Sequence, residues 1–139
     1  MQETLSYIST LLYRDFAAYT SGKLRELGLS YGSMPFILYV GKHPGCTPSE
    51  LTKALRMDWG HSQRSVMRLA GEGFLTREKT GRTHQLQLTE TGEKAFAVTH
   101  QVFADWDEAR LGGLDREERQ LLMDLLERVG KQCREANHD

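Results

Sequence analysis

Cysteine, proline and long apolar runs are all scarce in this chain. The two cysteines, Cys46 and Cys133, stand far apart in 139 residues. That number at that length excludes a disulfide scaffold. Only three prolines, with 27% charged residues, speak against wholesale disorder. No stretch approaches the roughly 18 apolar residues of a membrane span. The opening MQETLSYIST has no basic segment ahead of an apolar run, so it does not read as a secretory signal. The expected location is a reducing cytoplasm, with no membrane partner. A dominant charge sign is missing too, since 18 Lys and Arg face 19 Asp and Glu. The distribution is uneven, however. Residues 1–45 carry +1, residues 46–89 carry +3 and residues 90–139 carry −5. A basic middle beside an acidic tail is a functional hint.

What is present is mostly helical patterning. Leu5, Ile8, Leu12, Phe16 and Tyr19 recur at steps of three and four, which predicts one helix face from Thr4 to about Leu27. Ser30 starts a second helix that His43-Pro44-Gly45 ends. Thr47-Pro48-Ser49-Glu50 is a capping box with proline at the first helical position, and it opens a short third helix to about Leu55. A tight connection at Arg56-Met57-Asp58 leads to a fourth helix, ending near Glu72 with Gly73 as its C-cap. The period then shortens. Leu75 to Lys79 and Gln85 to Thr89 read as two strands around a polar, basic tip at Thr80-Gly81-Arg82-Thr83. Thr89 caps a long fifth helix to about Leu111, and Asp115 caps a sixth bearing Leu121, Leu122, Leu125, Leu126, Val129 and Cys133.

The expected fold is therefore mainly α with a small β-hairpin wing: a winged helix-turn-helix over residues 30–89, flanked by helical dimerisation regions at 1–29 and 90–139. In such a unit the third helix braces the fourth, and the fourth presents a face to the DNA major groove. Gln and Arg suit bidentate contact with adenine and guanine edges. The candidate DNA-binding residues are His61, Ser62, Gln63, Arg64 and Arg68 on the fourth helix, Ser49 at the start of the third, and Lys79 and Arg82 on the wing, with Arg77 beside them. Gly60 leaves the N-terminus of the fourth helix open to a phosphate.

Residues 29–92 resemble the multiple-antibiotic-resistance regulator (MarR) family. The stretches that carry the resemblance are Leu29-Ser30-Tyr31-Gly32-Ser33-Met34-Pro35-Phe36, Thr47-Pro48-Ser49-Glu50-Leu51, Met57-Asp58, Gln63-Arg64, Arg68-Leu69 with Glu72-Gly73-Phe74-Leu75, and Leu88-Thr89-x-Thr91-Gly92. Each is weak alone, but their order and spacing together are specific. The resemblance implies a homodimeric, ligand-responsive regulator of transcription, more often a repressor, acting on a near-palindromic operator. It also implies DNA contact from Gln63, Arg64 and Arg82. The family wing usually carries aspartates in a D-x-x-D-x-R pattern, whereas Lys79–His84 here contains none.

The dimer expectation has its own physical basis. The first, fifth and sixth helices carry more apolar face than one small winged domain covers. Leu5, Ile8, Leu12, Leu121, Leu122, Leu125 and Val129 are expected to pack across a two-fold axis, with half-sites about 34 Å apart. Family effectors bind between dimer helices and winged domain. Tyr13, Arg14, Tyr39 and His43 are the candidate contacts there for a small aromatic or phenolic effector.

Other readings compete with this one. His43-x-x-Cys46 has metal-ligand spacing, but no second pair lies nearby, so no metal and no cofactor is expected. As nucleophile and base the same pair lacks an orienting carboxylate and an oxyanion loop, so the chain does not read as an enzyme. Cys46, read as a loop residue, leaves open a thiol-based redox sensor. Cys133, at an apolar position, reads as a buried small hydrophobe. A helical interaction module that no longer binds specific DNA is the remaining alternative, and the basic middle segment speaks against it.

Overall fold

The structure is a computed structural model, and it describes residues 3–137. The outermost positions of the two expected flanking regions, residues 1–2 and 138–139, lie outside the described residues. Six α-helices and one hairpin follow in order: α1 (Leu5–Arg25), a 3-10 turn (Tyr31–Ser33), α2 (Met34–Lys42), α3 (Pro48–Ala54), α4 (Trp59–Gly71), β1 (Leu75–Thr80), β2 (Thr83–Leu88), α5 (Glu90–Arg110) and α6 (Arg116–Ala136). This is the mainly helical, single-hairpin architecture read from the sequence.

The caps explain the boundaries. Thr4 accepts from the Tyr7 N–H at 3.1 Å and starts α1. Thr89 accepts from the Gly92 N–H at 3.0 Å and starts α5. Asp115 and Glu118 close a reciprocal capping box on α6, 2.9 Å each way, satisfying two N–H groups the helix leaves unpaired. Gly28 and Gly73 take positive φ, +76° and +87°, and turn the chain after α1 and α4. The entry to α2 differs from expectation. Ser30 makes no side-chain cap bond, and a single 3-10 turn precedes the helix.

The chain divides into two compact units, with the boundary between Ala104 and Asp105, inside α5. In the first, Phe36, Ile37 and Val40 of α2, Leu51 of α3, Val66 and Leu69 of α4 and Leu86 of β2 are fully buried. Leu24 of α1 and Ala95 of α5 join the same core. Each large apolar side chain removed from water there contributes about 1.5–3 kcal/mol. Two glycines allow close approach. A Cβ on Gly41 of α2 would collide with the Phe96 ring of α5, and one on Gly92 would collide with the Phe74 carbonyl. The near half of α5 is thus seated against α2 and the start of the hairpin.

In the second unit, Arg119 of α6 donates from Nε to the Leu111 and Leu114 carbonyls at 3.2 Å each, and its Nη1 reaches Glu108 at 3.1 Å. These bonds fix the turn from α5 into α6. No residue of α6 is buried. Among the described residues, no helix is long and apolar enough to cross a membrane.

Candidate nucleic-acid interface

The local sequence builds a rigid two-helix unit. Thr47 accepts from the Glu50 N–H at 3.1 Å, and Glu50 accepts from the Thr47 N–H at 3.4 Å. The connection from α3 to α4 is short because Arg56 takes φ +51°. That left-handed conformation costs a non-glycine residue roughly 1–2 kcal/mol. Asp58 then caps α4, accepting from the His61 N–H at 3.1 Å. Between the helices the Thr52 and Ser62 hydroxyls meet at 2.7 Å, buried, with Thr52 also donating to the Pro48 carbonyl. This corrects one expectation. Ser62 is fully buried, so it clamps α3 to α4 and presents nothing to a groove.

The other α4 candidates face outward or toward the wing. His61, Arg64 and Arg68 are exposed, and Gln63 is half-buried. A Cβ on Gly60 would stand 3.2 Å from Arg64 Nη1 and 3.2 Å from Asp58 Oδ2. The glycine thus leaves room for the guanidinium to lie back over the first turn. Arg68 Nη2 donates to Ser33 Oγ at 3.4 Å, tying α4 to the 3-10 turn.

The hairpin pairs Leu75 with Leu88, Arg77 with Leu86, Lys79 with His84 and Thr80 with Thr83. Alternate residues share a face. The face that is apolar at Leu75, Leu86 and Leu88 therefore becomes cationic toward the tip, at Arg77 and Lys79, with His84 opposite Lys79. Gly81 turns the tip with φ +65°, a sign glycine accepts in a two-residue hairpin loop. Thr80 and Thr83 belong to the strands, so the tip is Gly81 and Arg82 alone, shorter than the expected four residues.

Between the wing and the starts of α3 and α4 lies a cleft of about 200 Å³, lined by Pro48, Ser49, Trp59, Gln63, Arg77, Arg82, Thr83 and His84. Among the described residues, no carboxylate lines it. Gln63 Nε2 and Arg77 Nε are buried there without a hydrogen-bond partner. His84 is held below its ordinary value of 6.5 by burial first, then by Arg77 and Lys79. The cleft unites four sequence candidates, Ser49, Gln63, Arg77 and Arg82, and leaves His61, Arg64, Arg68 and Lys79 outside its lining.

No protein-family model matches the chain. Individual relatives do. The chain is 40% identical over 134 residues, 94% of its own length and 93% of the relative's, to the HTH-type transcriptional regulator BilQ of Clostridium symbiosum. It is 27% identical over 108 residues to the BilQ regulator of Clostridioides difficile, covering 76% of this chain and 73% of that one. Among solved structures, a MarR transcriptional regulator from Methanosarcina mazei superposes with a TM-score of 0.81 at 24% identity, covering 98% of this chain and 93% of that one. The apo form of MarR from E. coli superposes at 0.76 and 22% identity, covering 93% and 98%.

The chain belongs to the MarR family of winged helix-turn-helix transcriptional regulators. It is an HTH-type transcriptional regulator, and its family is not enzymatic. MarR regulators bind DNA and typically dimerise.

Within this MarR fold the two cysteines exchange their expected environments. Cys46 is 4% exposed and forms a β-bridge with Leu86. The Leu86 N–H donates to the Cys46 carbonyl, and the Gly45 N–H to the Leu86 carbonyl, both at 2.8 Å. Burial, then Glu50, pushes the Cys46 thiol up to about 11. It is a core residue, not a loop thiol, which removes the basis for a nucleophile or redox sensor there. Cys133 is exposed in the single chain, on a helix with no buried residue.

The effector candidates fall in two groups. Tyr13, exposed on α1, meets Tyr31 edge to face at 6.4 Å, with Arg14 exposed beside it. Burial, then Tyr13, raises the Tyr31 phenol. His43 stacks on Tyr39 at 4.2 Å and its Nδ1 lies 3.2 Å from the Tyr39 carbonyl. Two cleft residues, Trp59 and His84, were missed. A large apolar side chain directly after the Asp58 cap was the signal for Trp59. The period-two register from Leu86 and Leu88 was the signal for His84.

Proposed function

We propose that the protein is a homodimeric repressor that binds a near-palindromic DNA operator and is released by a small aromatic or phenolic effector. The observation that carries the DNA reading is the pairing of an outward-facing Arg64 on α4 with a cationic wing, Arg77 and Lys79 on one face and Arg82 at the tip. Arg64 reads a base edge in the major groove, His61 and Gln63 flank it, and Arg68 supports the helix through Ser33. Lys79, Arg82 and Ser49 meet the phosphate backbone.

The dimer reading is supported by apolar side chains with no cover in a single chain. On α1, Leu5 is 57% exposed, and on α6 Leu121 is 59% exposed. Ile8, Leu12, Leu125 and Val129 are exposed with them, and Leu122 is half-buried. The helical regions 1–29 and 90–139 form the dimer, and 30–89 meets DNA. The effector reading takes Tyr13, Arg14, Tyr39 and His43 as contacts, supported by two aromatic pairs that each leave a polar group accessible. The protein acts in the cytoplasm, where the operator lies.

The test is a titration against duplex from upstream of its own gene, with a scrambled duplex as control, at several salt concentrations. The expected result is tighter binding to the native duplex and a steep negative salt slope. Equal, weak binding to both duplexes would sink specific recognition. Screening aromatic carboxylates and phenols against the complex then tests release.

A further inference from the structure

The geometry points to the cleft between the wing and the start of α4 as a clamp for one DNA backbone phosphate and its deoxyribose, with Trp59 as the wall for the sugar. This deepens the DNA-binding reading and rests on it.

Four observations converge. Trp59 is 54% exposed and takes no part in the hydrophobic core. An exposed indole beside the cleft's donors offers a large apolar surface to a partner that arrives later. Second, the groups around it are donors. Gln63 Nε2 and Arg77 Nε have no hydrogen-bond partner, which costs stability, and both side chains line the cleft. Arg82, Ser49 and His84 add further donors, and among the described residues no carboxylate competes. Third, the size fits. About 200 Å³ lies below the roughly 300–1,000 Å³ of small-molecule sites, yet the cleft opens beside the helix that meets the groove. Fourth, Arg77 and His84 lie on one face of the hairpin and both line the cleft.

A pocket that holds two arginines, no carboxylate among the described residues and one apolar wall matches a phosphate joined to a sugar. A phosphate brings acceptor oxygens for Gln63 and Arg77, and the deoxyribose brings an uncharged face for the indole. The clamp would therefore fix how α4 sits on the duplex and carry no sequence information of its own.

The test uses the full chain with operator and scrambled duplexes, comparing wild type with Trp59→Ala and Arg77→Gln. Thermal melts run alongside, and Trp59→Ala, at an exposed position, serves if Arg77→Gln does not fold. The expected result is a loss of about five- to tenfold on both duplexes by the same factor. Arg77→Gln should also reduce the salt slope by about one contact. A loss confined to the operator would make Trp59 a base reader and overturn the clamp. Unchanged affinity on both duplexes, with wild type binding normally, would overturn it as well. So would inorganic phosphate perturbing Trp59 fluorescence at micromolar concentration in a Trp106→Phe background, because the cleft would then hold a free anion. Failure of wild type itself to bind any duplex would instead sink the DNA-binding reading.

Discussion

Ser62 and Arg64 sit two positions apart on α4 and do opposite work. Ser62 bonds Thr52 in the interior, so Ser62→Ala should lower stability by about 1 kcal/mol while the folded fraction keeps its operator affinity. Arg64 is exposed, so Arg64→Ala should leave the melting temperature unchanged and cost about 1–3 kcal/mol of operator binding. Chemical denaturation and duplex titration on the same two variants separate the roles. Cys46 gives a third residue-scale test. With its thiol pushed up to about 11, only a small fraction, roughly one in a thousand or fewer, is thiolate near neutral pH. In a Cys133→Ser background, a disulfide reagent should leave Cys46 unmodified until the protein unfolds. Rapid labelling of the folded chain would restore a reactive-thiol reading. His84 supplies the pH dependence. Its folded value lies below 6.5, so the unfolded chain binds the proton more tightly. The stability linked to neutral His84 is whole above about 6.5 and is lost as pH falls through the folded value. Melting of the wild type should fall more steeply on acidification from about pH 7 to about pH 5 than melting of His84→Gln.

At the scale of elements, most caps were legible and inter-element contacts were not. Thr47, Thr89 and Asp115 cap the helices read from them, and Thr4 and Asp58 cap two more, because a cap is a local hydrogen bond within three residues, whereas Ser30 makes no cap bond. The pairing of Cys46 with Leu86 joins residues forty positions apart, and no local pattern marks it. The contact of Gly41 with Phe96 is of the same long-range kind. Gly41→Ala should push α5 from α2 and cost about 1–3 kcal/mol, measured by denaturant unfolding. Recovery of most of that loss in a Gly41→Ala, Phe96→Leu double variant identifies the ring as the cause. No recovery would place the strain elsewhere.

At the scale of the whole molecule, the apolar stripe of α6 makes the prediction. Leu121, Leu125 and Val129 recur on one face at 59%, 47% and 41% exposure. A charge on that face opposes any two-fold packing, since it would have to be buried. Leu125→Asp should shift the protein to monomer in analytical ultracentrifugation and abolish tight operator binding. A dimer that survives the change would move the interface off α6. The sequence by itself determined the helix count, the caps, the winged helix-turn-helix order and the family resemblance, because these depend on residues a few positions apart. Only the tertiary structure decided that Ser62 and Cys46 lie inside, that Arg68 leans on Ser33, and that Trp59, Gln63, Arg77 and His84 share one cleft. Burial and convergence depend on which distant segments meet, and spacing along the chain does not encode that directly.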